Sequence, residues 1–173
     1  MKFIMSKINI YLIFAISFIV AFTPNLSFSQ SVEALDKEYG FMGFKLAQNL
    51  DSLKGFRYKT RYMKKDVFVR DSMPLEYAGV KFSAVSFIFY KKILHSVIIK
   101  TEGANQSQAL LDLLQLYYGE GVQDGMAPRF IWNGKKVNMV FDQNLLTKNA
   151  ELVIESKAVQ NYFAHDMQAR FGE

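Results

Sequence analysis

The sequence predicts an α+β fold, a mainly antiparallel sheet with two longer helices packed mostly on one face. Three observations carry that expectation. The stretch "VKFSAVSFIFYKKILHSVIIK" alternates its apolar residues like two long strands joined near Lys91-Lys92. A second β-rich stretch, "RFIWNGKKVNMVFD", contains an Asn-Gly pair, the strongest short-range hairpin signal. Two segments, around 105–118 and 157–170, instead space their apolar residues three and four apart, the helical period.

The first twenty-nine residues are set aside as a signal peptide. Lys2 and Lys7 precede an apolar run from Ile8 to Phe22, then Thr23-Pro24-Asn25 and the small residues Ser27 and Ser29. That layout predicts cleavage before Gln30, and the run is shorter than the roughly 18–20 residues a spanning helix needs. Residues 30–173 then read as one domain, periplasmic or secreted. The chain has no cysteine, which excludes a thiol nucleophile, thiolate metal sites and an N-terminal lipid on cysteine. Without Lys2 and Lys7 the 21 basic residues become 19 against 16 acidic, about +3, too slight a balance to point to nucleic acid.

Along the chain, Phe41, Phe44 and Leu46 mark an extended opening. A short helix follows, capped by Asn49 and closed by Gly55, with Leu50 and Leu53 inward. "FRYKTRYMKK" sets Tyr58, Thr60 and Tyr62 against Lys59, Arg61 and Lys64, a half-exposed strand. Val67 to Val69 makes another strand before a loop at Pro74. Two residues of turn at Lys91-Lys92 would place Val85, Phe87 and Phe89 on one face with Leu94 and Ile98. Ile88, Tyr90, Ile93, Val97 and Ile99 would take the other face. Both faces being apolar, this hairpin is expected to be central and covered on both sides.

Asn105 with Gln108 forms a capping box for the next helix, whose stripe is Leu110, Leu113, Leu114 and Tyr117, widened by Leu111, Leu116 and Tyr118 and ended by Gly119. In the Asn-Gly hairpin a two-residue turn at Asn133-Gly134 would set Phe130 opposite Val137 and Trp132 opposite Lys135. Phe130, Trp132, Val137, Met139 and Phe141 then share a face, with Arg129, Lys136, Asn138 and Asp142 on the other. Trp132, the only tryptophan, is expected to anchor packing. The strand "AELVIES" leads into a last helix capped by Ser156, with Val159, Tyr162, Phe163 and Met167 as its stripe. Phe87–Ile99 and Phe130–Phe141 echo one another, which is compatible with a duplicated hairpin–helix unit.

Several motifs resemble small exported α+β domains common in Gram-negative bacteria: "GFKL", "LYYG", "IWNGKKV" and "IESK". More distantly, "FKLAQNLDSLK" is similar to the opening of SmpA/OmlA-type outer-membrane assembly domains. There a glycine usually stands where this chain has Ala47, and a lipidated cysteine is present. The resemblance brings no functional residues with it.

Catalytic chemistry finds little support in the residue types. His95 falls inside a strand, on the face of Ile88 and Ile93. His165 falls off the apolar stripe of the last helix, and Asp166 beside it points about 100° away. No histidine pair has metal-ligand spacing, so no catalytic residue, metal or cofactor is assigned. The expected function is a non-catalytic binding module for an envelope or secreted protein, or a cell-surface polymer. Tyr58, Lys59, Arg61 and Tyr62 are the candidate contacts, because tyrosines interleaved with cations suit stacking and acidic partners. Lys135 and Lys136 form a secondary patch. Two alternatives are a hydrolase of envelope material built on Asp66, Asp71 and Glu76, and a small-ligand carrier. The carrier would need an apolar pocket of at least about 300 Å³.

Overall fold

Every strand pairing is antiparallel, and eight strands run edge to edge in the order β3 (Phe56–Tyr62), β4 (Lys65–Arg70), β7 (Ala84–Tyr90), β8 (Ile93–Thr101), β12 (Ala150–Ser156), β11 (Val137–Gln143), β10 (Arg129–Asn133) and β9 (Val122–Gln123). The computed structural model describes residues 32–171; the expected signal peptide lies outside the described residues. Two small hairpins stand outside the eight-stranded sheet: β1 (Gly40–Phe41) with β2 (Phe44–Lys45), and β5 (Glu76–Tyr77) with β6 (Val80–Lys81). The helices are α1 (Val32–Glu38), α2 (Gly103–Tyr118) and α3 (Lys157–Phe171), and a 3₁₀ turn spans Leu50–Ser52. The α+β class is as the sequence predicts.

The chain builds one four-stranded meander, then α2, then a second meander and α3; β8 and β12, the last strand of each, lie side by side at the centre. The echo seen in sequence therefore matches hairpins offset by one strand, since the topological counterpart of β7–β8 is β11–β12.

The placement of the helices differs from the expectation of one shared face. One sheet face carries Val85, Phe87, Phe89, Leu94, Val97, Ile99, Leu152, Ile154, Val137, Met139, Phe141 and Trp132, all buried. Helix α2 covers this face with Leu110, Leu113, Leu114 and Tyr118, and α1 adds Leu35 to the same core. Helix α3 instead meets Tyr90, His95 and Lys65, whose side chains leave the opposite face. The junctions differ. Glu102 and the left-handed Gly103 (φ +72°) turn the chain after β8, whereas β12 runs into α3 with no residue between.

A β-bulge accounts for a second difference. The two-residue turn at Lys91-Lys92 is present, both lysines having positive φ, and it pairs Tyr90 with Ile93 and Phe89 with Leu94. Next, Ile88 pairs with Ser96, so His95 is an extra residue. Because side chains alternate with period two, one extra residue exchanges the faces beyond it. Val97 and Ile99 join Phe87 and Val85 in the core, and Ile98 goes to the other face, the reverse of the expected assignment.

The Asn-Gly hairpin has neither the expected turn nor the expected pairs. Trp132 pairs with Met139 and Phe130 with Phe141, and the last pair is Asn133 with Asn138, so the turn is longer than two residues. Its centre is the Asp36 carboxylate of α1, which accepts from the backbone N–H groups of Lys135 (2.5 Å), Lys136 (2.7 Å) and Val137 (3.0 Å). Gly134 is needed because a Cβ there would collide with that carboxylate, and its φ is not positive. The slip moves the pairing by an even number of positions, so the faces survive. Trp132 is wholly buried, and its indole N–H donates to the Gly119 carbonyl at 2.7 Å.

At the start of α2, Asn149 supplies the cap that Asn105 was expected to give: its side chain accepts from Gly103 N–H at 2.8 Å, and the helix begins two residues before Asn105. Tyr118 faces inward and donates to Glu38, while Leu116 and Tyr117 are exposed. Asn49 caps the 3₁₀ turn by accepting from Asp51 N–H at 2.9 Å, Leu53 closes it, and Gly55 takes its left-handed conformation two residues later. Ser156 caps α3 through Val159 N–H at 3.3 Å.

Candidate functional site

The sequence singles out β3, and the sheet places it at an edge. Six basic residues and no acid lie between Lys54 and Lys65. All of β3 except Phe56 is exposed, Tyr58 at 54% and Tyr62 at 66%. The strand is bulged at Lys59, between Tyr58 opposite Phe68 and Thr60 opposite Val67. The bulge breaks the expected alternation. Tyr58 sits on the core side of the sheet, its ring edge-on to Phe68 at 5.7 Å, while Tyr62 sits on the α3 side.

The cations are not equivalent. Arg61 is held by Asp66 through two bonds of 2.5 and 3.1 Å, and that carboxylate holds the guanidinium more firmly charged than usual. Arg57 pairs with Asp71 at 3.3 Å. Lys54 and Lys59 are exposed and have no ion-pair partner among the described residues. Lys135 and Lys136 do not join this surface. They belong to the loop on Asp36, and β11 lies five strands from β3, about 24 Å at the usual strand spacing. The Asp36 carboxyl is pushed up by burial but pulled down further by its three N–H donors, and ends below its ordinary value of 3.8.

Beside Tyr62 the α3 side of the sheet opens into a pocket of about 200 Å³ lined by Tyr62, Lys65, Val67, Ile88, Ile98 and Glu155, with His95 at its base. His95 is 2% exposed. Its Nε2 lies 2.8 Å from Gln160 Oε1, 2.9 Å from Glu155 Oε1 and 3.2 Å from Lys65 Nζ, and its Nδ1 lies 3.2 Å from Ser96 Oγ. Burial pushes the Lys65 ammonium below its ordinary range. Burial raises the Glu155 carboxyl, but the His95 contact and the Lys65 charge pull it down further. Reading the sequence alone places His95 in a strand and misses these partners. They come from β4, β12 and α3, distant in sequence, and meet His95 on the face it shares with Ile88. Each polar group already has a partner, so the cluster fastens α3 to the sheet.

The other residues weighed for chemistry lie apart. Asp66 and Asp71 are committed to Arg61 and Arg57, and Glu76 is exposed in the small β5–β6 hairpin. His165 is exposed on α3, while Asp166 accepts from Tyr90 and pairs with Lys91 at 3.0 Å. The apolar-lined pocket falls short of the roughly 300 Å³ a carrier needs. Wider hollows of about 460 and 390 Å³ continue over Ile131, Val140 and Val153, open and edged by charged side chains. No group of three or more histidine and acidic side chains suited to a metal occurs among the described residues.

Comparison with family models, curated proteins and solved structures finds no match. The resemblance to exported envelope domains rests on the sequence motifs alone.

Proposed function

We propose that the protein is an exported, non-catalytic module that binds an envelope or secreted protein through the β3 edge. One observation carries this reading: a seven-residue edge strand is acid-free, exposed from Arg57 to Tyr62 and tyrosine-bearing on both faces. Aromatic and cationic side chains of this kind are what an acidic partner surface would recognise. Export rests on the pattern of Lys2, Lys7, the apolar run and Pro24. No helix among the described residues is long and apolar enough to cross a membrane. The secondary patch at Lys135 and Lys136 forms no part of the surface proposed.

The test is capture from envelope and periplasmic fractions of the protein's own host, using the immobilised chain from Gln30 to Glu173. A Lys54→Glu/Lys59→Glu variant serves as the comparison, because neither lysine holds a native ion pair. The expected result is a partner taken by the native chain and lost by a variant whose melting temperature is unchanged. A partner held equally by both would remove the β3 edge from the proposal.

A further inference from the structure

Among the described residues the edge strand has a main-chain border with no neighbouring strand, as well as a charge, and the two together specify a kind of partner. We infer that β3 takes up an acidic, extended segment of the partner protein as a ninth strand; this deepens the binding reading above and rests on it.

Strand β3 ends the sheet, so no neighbouring strand occupies its outer side among the described residues. In an antiparallel pair, alternate residues direct their N–H and C=O groups to one neighbour or the other, and the outward ones of β3 have no strand to meet. Such a border binds an extended peptide through main-chain bonds, and the side chains beside it set the selectivity. Between Lys54 and Asp71 there are seven basic and two acidic residues, 7 − 2 = +5. The two acids already answer Arg61 and Arg57, Lys65 lies against His95 and Gln160 and Arg70 over the Phe44 ring, while the exposed Lys54 and Lys59 can answer carboxylates of an arriving strand. The bulge at Lys59 puts Tyr58 on one face and Tyr62 on the other, so a strand laid along this edge is flanked by an aromatic ring above and below.

The far edge makes a built-in contrast. There β9 offers only Val122 and Gln123, with Glu120 and Asp124 beside them, so an acidic strand would meet a short border of its own charge. Cationic edges also serve to discourage pairing altogether. Only selectivity for acidic strands distinguishes reception from defence.

The probe is a peptide of about eight residues, a usual strand length, alternating glutamate and valine. Two controls accompany it: one with lysine in place of glutamate, and one with alternate backbone nitrogens methylated, which keeps the charge and removes main-chain donors. Binding is followed by anisotropy and by amide exchange of the chain from Gln30 to Glu173. The expected result is binding that weakens with salt, slower exchange confined to β3, no binding of the lysine peptide, and a loss of at least about tenfold on methylation, because several main-chain bonds disappear. Equal binding of the methylated peptide, protection elsewhere, or no binding of any peptide overturns strand addition. If strand addition fails while the Lys54→Glu/Lys59→Glu variant still loses its captured partner, the binding module stands without it. If the variant also retains that partner, the β3 reading itself falls.

Discussion

The two meanders of the sheet begin and end differently, although each has four strands and leads into a long helix. The first begins with a seven-residue strand exposed from Arg57 to Tyr62; the second begins with two residues of β9. The first closes with α2, whose buried leucines meet the core. The second closes with α3, tied down largely by Gln160 on His95 and Lys65, Asp166 on Tyr90 and Lys91, and rings of Tyr162 and Phe163 against Tyr90. A helix buried through a row of leucines belongs to the core shared by the whole sheet, whereas α3, held by Val159, two rings and several polar contacts, has fewer buried apolar side chains to lose on local opening. The second meander thus carries a helix fastened by polar ties and aromatic rings on the far face of the sheet, and the first carries the exposed edge.

That comparison can be attacked first at Trp132, which joins the halves by packing in the common core and bonding to Gly119 at the end of α2. Trp132→Ala should destabilise the whole chain by about 3–5 kcal/mol in chemical denaturation, as for a buried aromatic. A loss under about 0.5 kcal/mol would mean the halves do not share one core.

Asp36→Asn should cost about 2 kcal/mol, because a charged acceptor of three backbone donors is replaced by a weaker one. The sign with pH follows from a carboxyl lowered in the fold. Its stabilisation is present above about pH 4 and is lost as the pH falls through the folded value, so the variant should have the flatter stability–pH curve below that point. Parallel curves for the two proteins would contradict the loop's dependence on that carboxylate.

Gln160→Ala sharpens the contrast between the helices. It removes contacts to His95 and Lys65 and should cost about 1–2 kcal/mol. Amide exchange should quicken in α3 and leave α2 and the central strands protected; uniform quickening would show that α3 does not open on its own. Lys59→Glu is the smallest, within about 0.5 kcal/mol of the native stability, as for an exposed change away from any ion pair, yet it should weaken partner binding.

Local periodicity made much of this legible, and distant partners account for the rest. The faces of the Trp132 hairpin could be read although its turn could not, because the slip in pairing was even. The turn depends on Asp36, a hundred residues before Lys136, and no local rule reaches that far. The central hairpin failed in the opposite way: its turn was right, and an unsignalled extra residue at His95 inverted what followed. In α2 the helical spacing favours Tyr117 for the inward stripe, yet it is Tyr118 that is buried, its hydroxyl donating to Glu38 of α1, while Tyr117 is exposed. The β3 patch was visible as composition, but the bulge that parts Tyr58 from Tyr62 was not. The polar cluster around His95 gathers four elements, and only one of its members stood out in the chain.

The bulge at His95 behaves like a frameshift written into the protein itself. From Ser96 to Thr101 every side chain is in phase with the core only because one residue was added upstream, so β8 should tolerate exchange of residues far better than their removal. Deleting His95 would send Val97 and Ile99 out of the core and Ile98 and Lys100 into it, a change no single substitution in the strand can match. A compensating insertion just downstream would restore the phase, as a suppressor does in a gene. Variation in this protein should therefore enter β8 as spelling and never as length.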